Sequence, residues 1–522
     1  MRNKAAPYIL PGVIIWLFWA ISTWGLDRLP VIHNDETAIA AAGYQLFYQG
    51  HYGLDMYTGH EGRETIYLEV MPLMPWVQGV SSWFIGVGTW QMRFVPVLCG
   101  VLTLALTYAL ARQLTNRQTA RLALVFLFFW RWSPLGINEF HLTGIPLVDA
   151  VRVARYDILI APLSVAVLWT WLRAQATGQL RLYGLTGMLV GLTGLTNLYG
   201  LFWLPALFLL RLSKLTVRPS SFITLLRPMF VLLSGTTLAL LPWLLLVATH
   251  PTAFASQFSM HSNRFNLLDV QFYRENLLEE GWRYLLGLPW PDGITRLGFW
   301  LVVALPLVLL GLGVAWSRGR KPHLIPLFIP ATLFPLLFAL LIQKKVFGYL
   351  LLVIPLWSIA LAWGVIWLWG RFPRRGRVGL TLLGLWLIIE GSFALTQLPI
   401  QVAQTPAATP FFAQLREIVP QEGVILGPQT YWPGFYDRDY RSMVLVFSLG
   451  IPHQSALTAM TMIDPDVVIM NPTMVEWLAS HDRRANPPDD FTAEFNQYLQ
   501  DAILIAELRE PSGEPVWVYQ LK

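Results

Sequence analysis

The heptapeptide VIHNDET (residues 31–37) decides how this chain is organised. It follows an apolar stretch, residues 8–26, at the point where a membrane protein returns to water. Pro30 already prevents a helix from continuing, so two adjacent carboxylates, Asp35 and Glu36, are not needed to end that stretch. We interpret this acidic corner, at the water-facing mouth of a membrane cavity, as the candidate reaction centre.

A second interpretation of the same corner is structural. Residues 38–48 are rich in small side chains and predict a helix that holds Asp35 and Glu36 in its first turn. Asn34 or Asp35 could then be the N-cap residue and accept backbone N–H bonds. The sequence leaves both interpretations open.

The composition is that of a membrane protein. Of 522 residues, 55% are apolar, only 13% are charged, and 24 are Trp. Ordinary soluble domains carry about 25% charged residues. The apolar residues occur in blocks of about 20, the length of a bilayer span. The single cysteine, Cys99, lies in such a block, which excludes an internal disulfide and a cysteine-based metal site.

About eleven apolar segments are predicted to cross the membrane as helices. They are residues 8–26, 94–111, 121–134, 157–172, 182–198, 200–212, 229–249, 297–316, 324–342, 347–370 and 378–397. The connections between them alternate in charge. Arginine and lysine concentrate at residues 2–4, 112–121, 173–181, 214–227, 318–321 and 371–377. By the positive-inside rule these connections are cytoplasmic, which places the N-terminus inside and the C-terminal region outside.

The C-terminal region differs in charge from the rest of the chain. Residues 401–522 hold 7 Lys+Arg and 15 Asp+Glu, a net charge of −8, whereas the remainder carries +14. We predict a membrane domain at 1–400, with a first outer loop at 27–93 that contains interfacial helices. Residues 401–522 are predicted to form a small extracytoplasmic α/β domain, called the tail domain below. Its acidity argues against nucleic acid as a partner.

Within the tail domain, short apolar runs predict β-strands and longer periodic stretches predict helices. The predicted strands are 423–426, 466–470, 502–508 and 516–521, and the predicted helices are 410–419 and 491–499. The tract GPQTYWP (427–433) could bind a sugar by aromatic stacking, or it could be a structural turn.

Residues that could carry chemistry cluster on the predicted outer side. Asp157 begins a predicted span at the level of Asp35, and Arg155 precedes it. The other candidates are Arg264 and His261 in a large outer loop, and Lys344, Lys345 and Tyr349 at a short outer turn. Arg155 and Asp157 could simply pair with each other, and the lysines could mark a loop end near lipid headgroups.

This set of charges suits one reaction class, the transfer of a sugar from a polyprenyl-phosphate carrier. Cations stabilise the departing phosphate, and a carboxylate takes the proton of the attacking acceptor. We therefore assign catalysis to Asp35 and Asp157. Substrate binding is assigned to Glu36, Arg155, Arg264, Lys344, Lys345 and Tyr349.

Several motifs resemble the C-type glycosyltransferases, which share the GT-C fold. They are DET (35–37), YLEVMPLMPW (67–76), RFVPVLCGVLTLALTYALARQL (93–114), ARYDILIAPL (154–163), LTNLYGLFWLPA (195–206) and KKVFGYLLLVIPLW (344–357). The chain looks most similar to the group of lipid A aminoarabinose transferases and protein O-mannosyltransferases. The resemblance extends over most of residues 30–400.

The resemblance implies an enzyme that takes a sugar from a polyprenyl-phosphate donor on the outer face and transfers it with inversion. It implies that Asp35 is the essential carboxylate and that Asp157 is a second acid. In the aminoarabinose branch it also suggests a zinc-like divalent metal, at positions that match Asp35, Glu69 and His261. Related mannosyltransferases work without a metal, so this point stays open.

The motif that contains Glu69 departs from the pattern of the family. Members of the family often carry Lys-Pro-Pro after this glutamate, whereas this chain has Val70-Met71-Pro72. The missing cation would have to be replaced, for example by Arg63, or the donor phosphate would bind differently.

From these features we expect a multi-pass glycosyltransferase of the plasma (inner) membrane, in contact with membrane lipids and active in the cell envelope. The acceptor could be a lipid, a glycan or a protein hydroxyl. The alternative function is a transporter or flippase for a polyprenyl-linked sugar, which would place charges in mid-span and show two matching halves. A third possibility is a structural subunit whose outer domain binds a partner.

Overall fold

The computed structural model describes residues 8–131, 142–215, 222–262, 266–285, 313, 322–343, 346–484 and 490–521. Most of these residues are helical. The α-helices are α1 (Ile9–Thr23), α2 (Asn34–Tyr44), α3 (Leu73–Ile85), α4 (Thr89–Leu114), α5 (Arg117–Phe129), α6 (Pro146–Ala150), α7 (Asp157–Thr177), α8 (Leu180–Thr196), α9 (Trp203–Leu215), α10 (Phe222–Thr249), α11 (Pro251–Ser262), α12 (Val270–Leu285), α13 (Ile325–Leu341), α14 (Ile354–Arg371), α15 (Arg374–Gln404), α16 (Ala408–Ile418), α17 (Trp432–Phe435), α18 (Val444–His453), α19 (Ala456–Ile463), α20 (Pro472–Arg484) and α21 (Phe491–Tyr498).

Helices coincide with the predicted spans wherever the structure describes them. The helices α1, α4, α5, α7, α8, α9, α10, α13, α14 and α15 each overlap one predicted span, and the span 297–316 lies, apart from residue 313, outside the described residues. Within the described ranges, four helical stretches are long and apolar enough to cross a membrane: Thr89–Leu114, Asp157–Thr177, Leu226–Thr249 and Arg374–Ile418. The total of eleven crossings stays a prediction.

The predicted spans 182–198 and 200–212 correspond to two separate helices, α8 and α9, joined by a 3₁₀ turn at Leu198–Phe202. Helix α8 packs closely against α10 because glycines leave room for the backbones to approach. A Cβ atom added to Gly187 would lie 1.9 Å from the carbonyl oxygen of Leu232. No side chain fits at this contact, so the position requires glycine.

The first outer loop contains α2 and α3, with a 3₁₀ turn at Asp55–Tyr57 between them. Helix α3 falls inside the stretch predicted to lie at the membrane interface. Its residues Trp83 and Phe84 are 67% and 76% exposed, which suits a helix whose aromatic side chains face lipid. The position of α3 at the interface stays a prediction.

The tail domain contains a five-stranded sheet with the order β2-β1-β3-β5-β4. The strands are β1 (Ile425–Gly427), β2 (Tyr440–Ser442), β3 (Val467–Met470), β4 (Ile503–Arg509) and β5 (Pro515–Gln520). Strand β1 is parallel to β2 and β3, whereas β5 is antiparallel to β3 and β4. The four predicted strands and the two predicted helices are confirmed. Strand β2 was not predicted because three residues are too few to show an alternating pattern.

The tract 427–433 forms a turn and not an exposed aromatic surface. Gln429–Tyr431 is a 3₁₀ turn that leads into α17. Tyr431 and Trp432 are each only 4% exposed, so their rings cannot stack on a sugar. The structural interpretation of this tract is therefore the correct one.

A buried arginine of α4 holds the acidic corner against the membrane helices. Arg93 donates two 2.8 Å hydrogen bonds to Glu36, from Nε to Oε2 and from Nη2 to Oε1. Its Nη1 atom donates to the carbonyl oxygens of Leu26 (2.8 Å) and Pro30 (2.9 Å). Both charged side chains are 0% exposed. One guanidinium thus fixes the chain on both sides of residues 27–35.

A second buried arginine, Arg152, fixes the end of α1. Its guanidinium donates to the carbonyl oxygens of residues 21, 22, 24, 25 and 29. The last carbonyls of a helix have no partners within the helix, so they need such a donor when they are buried. Two residues further on, the backbone N–H of Ala154 donates to Glu36 Oε2 at 2.8 Å. Glu36 therefore links α2, α4 and the segment that precedes α7.

These contacts keep Glu36 ionised. Burial by itself would raise the pKa of this carboxyl group, but Arg93 and the backbone N–H groups of Ala154 and His33 outweigh burial and lower it below the ordinary value. A lowered pKa means that this interaction stabilises the fold at pH values above the ordinary pKa of a glutamate. The stabilisation is lost as the pH falls through the lowered value.

Replacing Glu36 with Gln should destabilise the protein by about 3–5 kcal/mol, because Arg93 would then be a buried cation without its counter-charge. The measurement is thermal unfolding of the detergent-solubilised protein. The matched control is Glu476→Gln, because the Glu476–Arg483 pair is 67% and 62% exposed. That change should cost less than about 1 kcal/mol. Equal losses in the two variants would contradict the role given to the Arg93–Glu36 pair.

Candidate active site

Asp35 lies in the first turn of α2, and its side chain is not needed to cap the helix because neighbouring residues do so. His33 is the N-cap residue: its Nδ1 atom accepts the N–H of Asp35 at 3.1 Å, and its own N–H donates to Glu36 Oε1 at 3.0 Å. This reciprocal pair is a capping box. The alternative in which Asn34 or Asp35 caps the helix is therefore wrong, whereas the placement of Asp35 and Glu36 in the first turn is confirmed.

Glu36 faces the interior of the protein in this arrangement, and its assignment to substrate binding stays a prediction. It is fully buried, and its two oxygens accept hydrogen bonds from Arg93, Ala154 and His33. Asp35, the adjacent residue, has a side chain that is 41% exposed. Adjacent positions in one helical turn point in different directions, and only Asp35 points outwards.

Arg155 brings the two predicted catalytic acids together. Its Nε atom lies 3.2 Å from Asp35 Oδ2, and its Nη2 atom lies 3.4 Å from Asp157 Oδ2. The other oxygen of Asp157, Oδ1, accepts a 3.0 Å hydrogen bond from the hydroxyl of Tyr199. Within the described parts of the chain, Oδ1 of Asp35 accepts no hydrogen bond. Asp35 thus keeps one carboxylate oxygen available to a bound molecule.

Arg155 stays charged in this position. Burial lowers the pKa of its guanidinium, but Asp157, Tyr156 and Asp35 outweigh burial, so the pKa is raised. The guanidinium also lies 5.5 Å from the centre of the Tyr156 ring, a cation–π distance. Two carboxylates therefore share one permanent cation, which reduces their mutual repulsion.

A cavity of about 360 Å³ begins beside this group of charges. Tyr156, which precedes Asp157, and Tyr199, which donates to it, both line the cavity. The wall includes the apolar side chains of Met71, Leu198 and Phe202. A mostly apolar cavity with a few polar groups at one end suits an amphipathic ligand whose polar part faces the acids.

The predicted residue Tyr349 lines the same cavity, and its ring lies 4.9 Å from that of Tyr199. Three other predicted residues, Arg264, Lys344 and Lys345, lie outside the described residues. Both lysines follow Ile342, a cavity residue, and precede Tyr349 in the chain.

The residues suggested as metal ligands do not come together in the described part of the chain. Glu69 and His261 line the cavity, but Asp35 does not. Asp35 contacts Arg155, and Glu69 Oε2 lies 3.2 Å from Arg63 Nη1. No group of three His, Cys, Asp or Glu side chains that could hold a metal ion occurs among the described residues. Among the described residues, Asp35, Glu69 and His261 are thus not grouped as ligands of one ion, and a divalent metal stays a prediction.

Two features of the site were not singled out in the sequence. Arg93 could have been found, because a charged side chain near the end of an apolar span indicates a buried partner or a functional role. Tyr199 carries no such signal, since a tyrosine in an apolar stretch is ordinary. Its role follows only from its contact with Asp157.

Comparison with known proteins gives matches of two kinds. The family model of the dolichyl-phosphate-mannose-protein mannosyltransferases matches residues 69–246. No curated protein matches the chain by sequence. The structure of ArnT from Cupriavidus metallidurans bound to undecaprenyl phosphate is similar with a TM-score of 0.63 and 17% identity. That match covers 99% of this chain and 98% of ArnT.

The oligosaccharyltransferase of Archaeoglobus fulgidus is also similar. Its apo form matches with a TM-score of 0.55 and 12% identity, over 95% of this chain and 73% of the oligosaccharyltransferase. Its complex with Zn and sulfate matches with a TM-score of 0.50 and 12% identity, over 97% and 73%. ArnT and this enzyme are both GT-C glycosyltransferases. The resemblance drawn from the sequence motifs is confirmed: the chain has the fold of the GT-C glycosyltransferases.

Proposed function

We propose that this protein is an inverting glycosyltransferase that moves a sugar from a polyprenyl-phosphate donor to an acceptor on the extracytoplasmic face of the membrane. The observation that carries the proposal is the Asp35–Arg155–Asp157 arrangement beside a mostly apolar cavity. The fold supports it, because ArnT with this fold was solved with undecaprenyl phosphate bound.

In the proposed reaction, Asp35 is the general base. The carboxylate accepts the proton of the acceptor hydroxyl as the acceptor oxygen forms a bond to the anomeric carbon of the sugar. The bond between that carbon and the phosphate oxygen breaks, and the electron pair leaves with the polyprenyl phosphate. The exposed position of Asp35, with one oxygen that accepts no bond from the described residues, is suited to this role.

Asp157 and Arg155 are proposed to organise the reacting groups. The hydroxyl of Tyr199 donates to Oδ1 of Asp157, and this bond helps to fix the orientation in which Oδ2 faces Arg155. Arg155 orients both carboxylates and supplies positive charge near the departing phosphate. Lys344, Lys345 and Arg264 remain proposed phosphate-binding residues, since the lysines lie between two cavity residues in the chain. Lipid tails would occupy the apolar part of the cavity.

The proposed topology places the tail domain and the acidic corner on the extracytoplasmic side and the N-terminus in the cytoplasm. It is supported by the alternation of basic and non-basic connections along the sequence. The sugar and the acceptor are identified first by mass spectrometry of lipids and glycans from cells with and without the protein. The product found in this way then defines the transfer assay.

Replacing Asp35 with Asn should lower the rate of transfer at least about 100-fold, because general-base catalysis contributes about 10²–10⁴-fold. The rate is measured with the purified protein and a radiolabelled polyprenyl-phosphate sugar. The matched control is Asp55→Asn, since Asp55 lies in the same loop and its side chain is 38% exposed. It should transfer at the wild-type rate. Wild-type turnover in the Asp35 variant would refute the assignment.

Replacing Arg155 with Gln should lower the turnover number about 10–100-fold, because the two carboxylates lose the cation that they share and the departing phosphate loses a positive charge. Arg155→Lys keeps the charge but not the fork geometry, so it should recover only part of the lost rate. The turnover number of both variants is measured in the same transfer assay. A wild-type turnover number in Arg155→Gln would show that Arg155 takes no part in the reaction.

A further inference from the structure

One side chain of the tail domain reaches into the acidic corner. Gln429, in the turn after β1, is 4% exposed. Its Nε2 atom donates a 2.7 Å hydrogen bond to the carbonyl oxygen of Asn34, and its Oε1 atom accepts a 2.7 Å hydrogen bond from the hydroxyl of Tyr57. Both ends of the amide are therefore used, and both partners belong to the first outer loop.

The contact with Asn34 acts directly on the backbone that carries Asp35. The carbonyl of Asn34 and the N–H of Asp35 belong to one planar peptide unit. The carbonyl accepts from Gln429 and from Thr37 Oγ1 (2.8 Å), and the N–H donates to His33 Nδ1 (3.1 Å). The peptide is thus held at both ends, and its plane sets the direction in which the Asp35 side chain leaves the backbone.

The contact with Tyr57 continues towards the cavity wall. The Tyr57 ring lies 5.3 Å from the guanidinium of Arg63, which contacts Glu69 at 3.2 Å. Glu69 lines the cavity. Burial raises the pKa of the Tyr57 hydroxyl, so this group stays protonated and donates to Gln429. Gln429 therefore stands between the peptide of Asp35 and a wall of the cavity.

Aromatic packing fixes the tail domain at the same place. The ring of Tyr44 at the end of α2 lies 6.1 Å from that of Trp432 and 5.3 Å from that of Tyr436. Helix α2 is therefore held by the tail domain at its last residue, while Gln429 holds its first. The segment that carries Gln429 is therefore fixed against α2.

From these contacts we infer that Gln429 is a positioning residue for the transfer reaction: it fixes the Asn34–Asp35 peptide and thereby the general base. The inference rests on the proposed function. It also assigns the tail domain a part in completing the active site. Removal of a buried amide with two partners at 2.7 Å costs free energy, because each partner then stays buried without its hydrogen bond.

The test compares variants that remove different parts of the bridge. Gln429→Met keeps the length of the side chain but removes both hydrogen bonds, whereas Tyr57→Phe removes only the bond to Gln429 Oε1. Gln429→Glu keeps the acceptor for Tyr57 and places an oxygen against the Asn34 carbonyl, and it serves as the second variant if the Met variant does not fold. Ser455→Ala is the control, since Ser455 caps α19 within the tail domain and contacts Glu494.

In the transfer assay, Gln429→Met and Gln429→Glu should lower the turnover number about tenfold, while the KM of the donor changes less than about twofold. Both variants lose the hydrogen bond to the Asn34 carbonyl, and the loss of one buried hydrogen bond corresponds to a change of about this size. Tyr57→Phe should have a smaller effect, and Ser455→Ala should turn over like the wild type. A turnover number unchanged in both Gln429 variants would overturn the inference.

Hydrogen–deuterium exchange gives a readout that does not depend on activity. Amides in residues 31–40 should exchange about tenfold faster in the Gln429 variants than in the wild type, and at the wild-type rate in Ser455→Ala. Unchanged exchange in these residues would overturn the inference whatever the assay shows. If the wild-type protein transfers no sugar, the proposed function fails, and the exchange rates still decide whether Gln429 positions the corner.

Discussion

The site depends on one buried ion pair, Arg93 with Glu36. A guanidinium that is fully removed from water needs a counter-charge and acceptors for its N–H groups. Here Glu36 and the carbonyls at residues 26, 30 and 31 supply those acceptors. The pair therefore does more than bring two charges together, because it fixes the path of the loop that carries Asp35. The exposed acid can be placed accurately because its neighbour is buried.

The two adjacent acids, Asp35 and Glu36, differ in their surroundings because one is exposed and the other is buried. Glu36 points into the protein, where a cation and backbone donors keep it ionised and saturated. Asp35 points outwards, where Arg155 occupies only one of its oxygens. A single carboxylate could not anchor the loop and also serve as the proposed general base. The corner needs both residues, and the division of roles follows from burial.

The sequence predicted the fold better than it predicted the site. Apolar blocks of bilayer length identified the helices correctly, because a run of apolar residues is visible within a single segment of the sequence. The proximity of Asp35, Arg155 and Asp157 was foreseen because all three lie at or near the outer ends of predicted spans. The pairing of Glu36 with Arg93 was not foreseen, since Arg93 lies 57 positions away and nothing local distinguishes two neighbouring acids. His33 was missed as the cap because histidine is not a preferred residue at that position.

The contact between Gln429 and Asn34 joins residues 395 positions apart. During synthesis the acidic corner leaves the ribosome early, whereas the turn that contacts it leaves after most of the chain. Until that turn has arrived, the carbonyl of Asn34 lacks its long-range donor and Tyr57 lacks its acceptor. A nascent protein would thus assemble its membrane helices first and acquire a fully ordered corner only as the last fifth of the chain is completed. If the proposed function is correct, the order of the sequence would thus disfavour sugar transfer by an unfinished molecule.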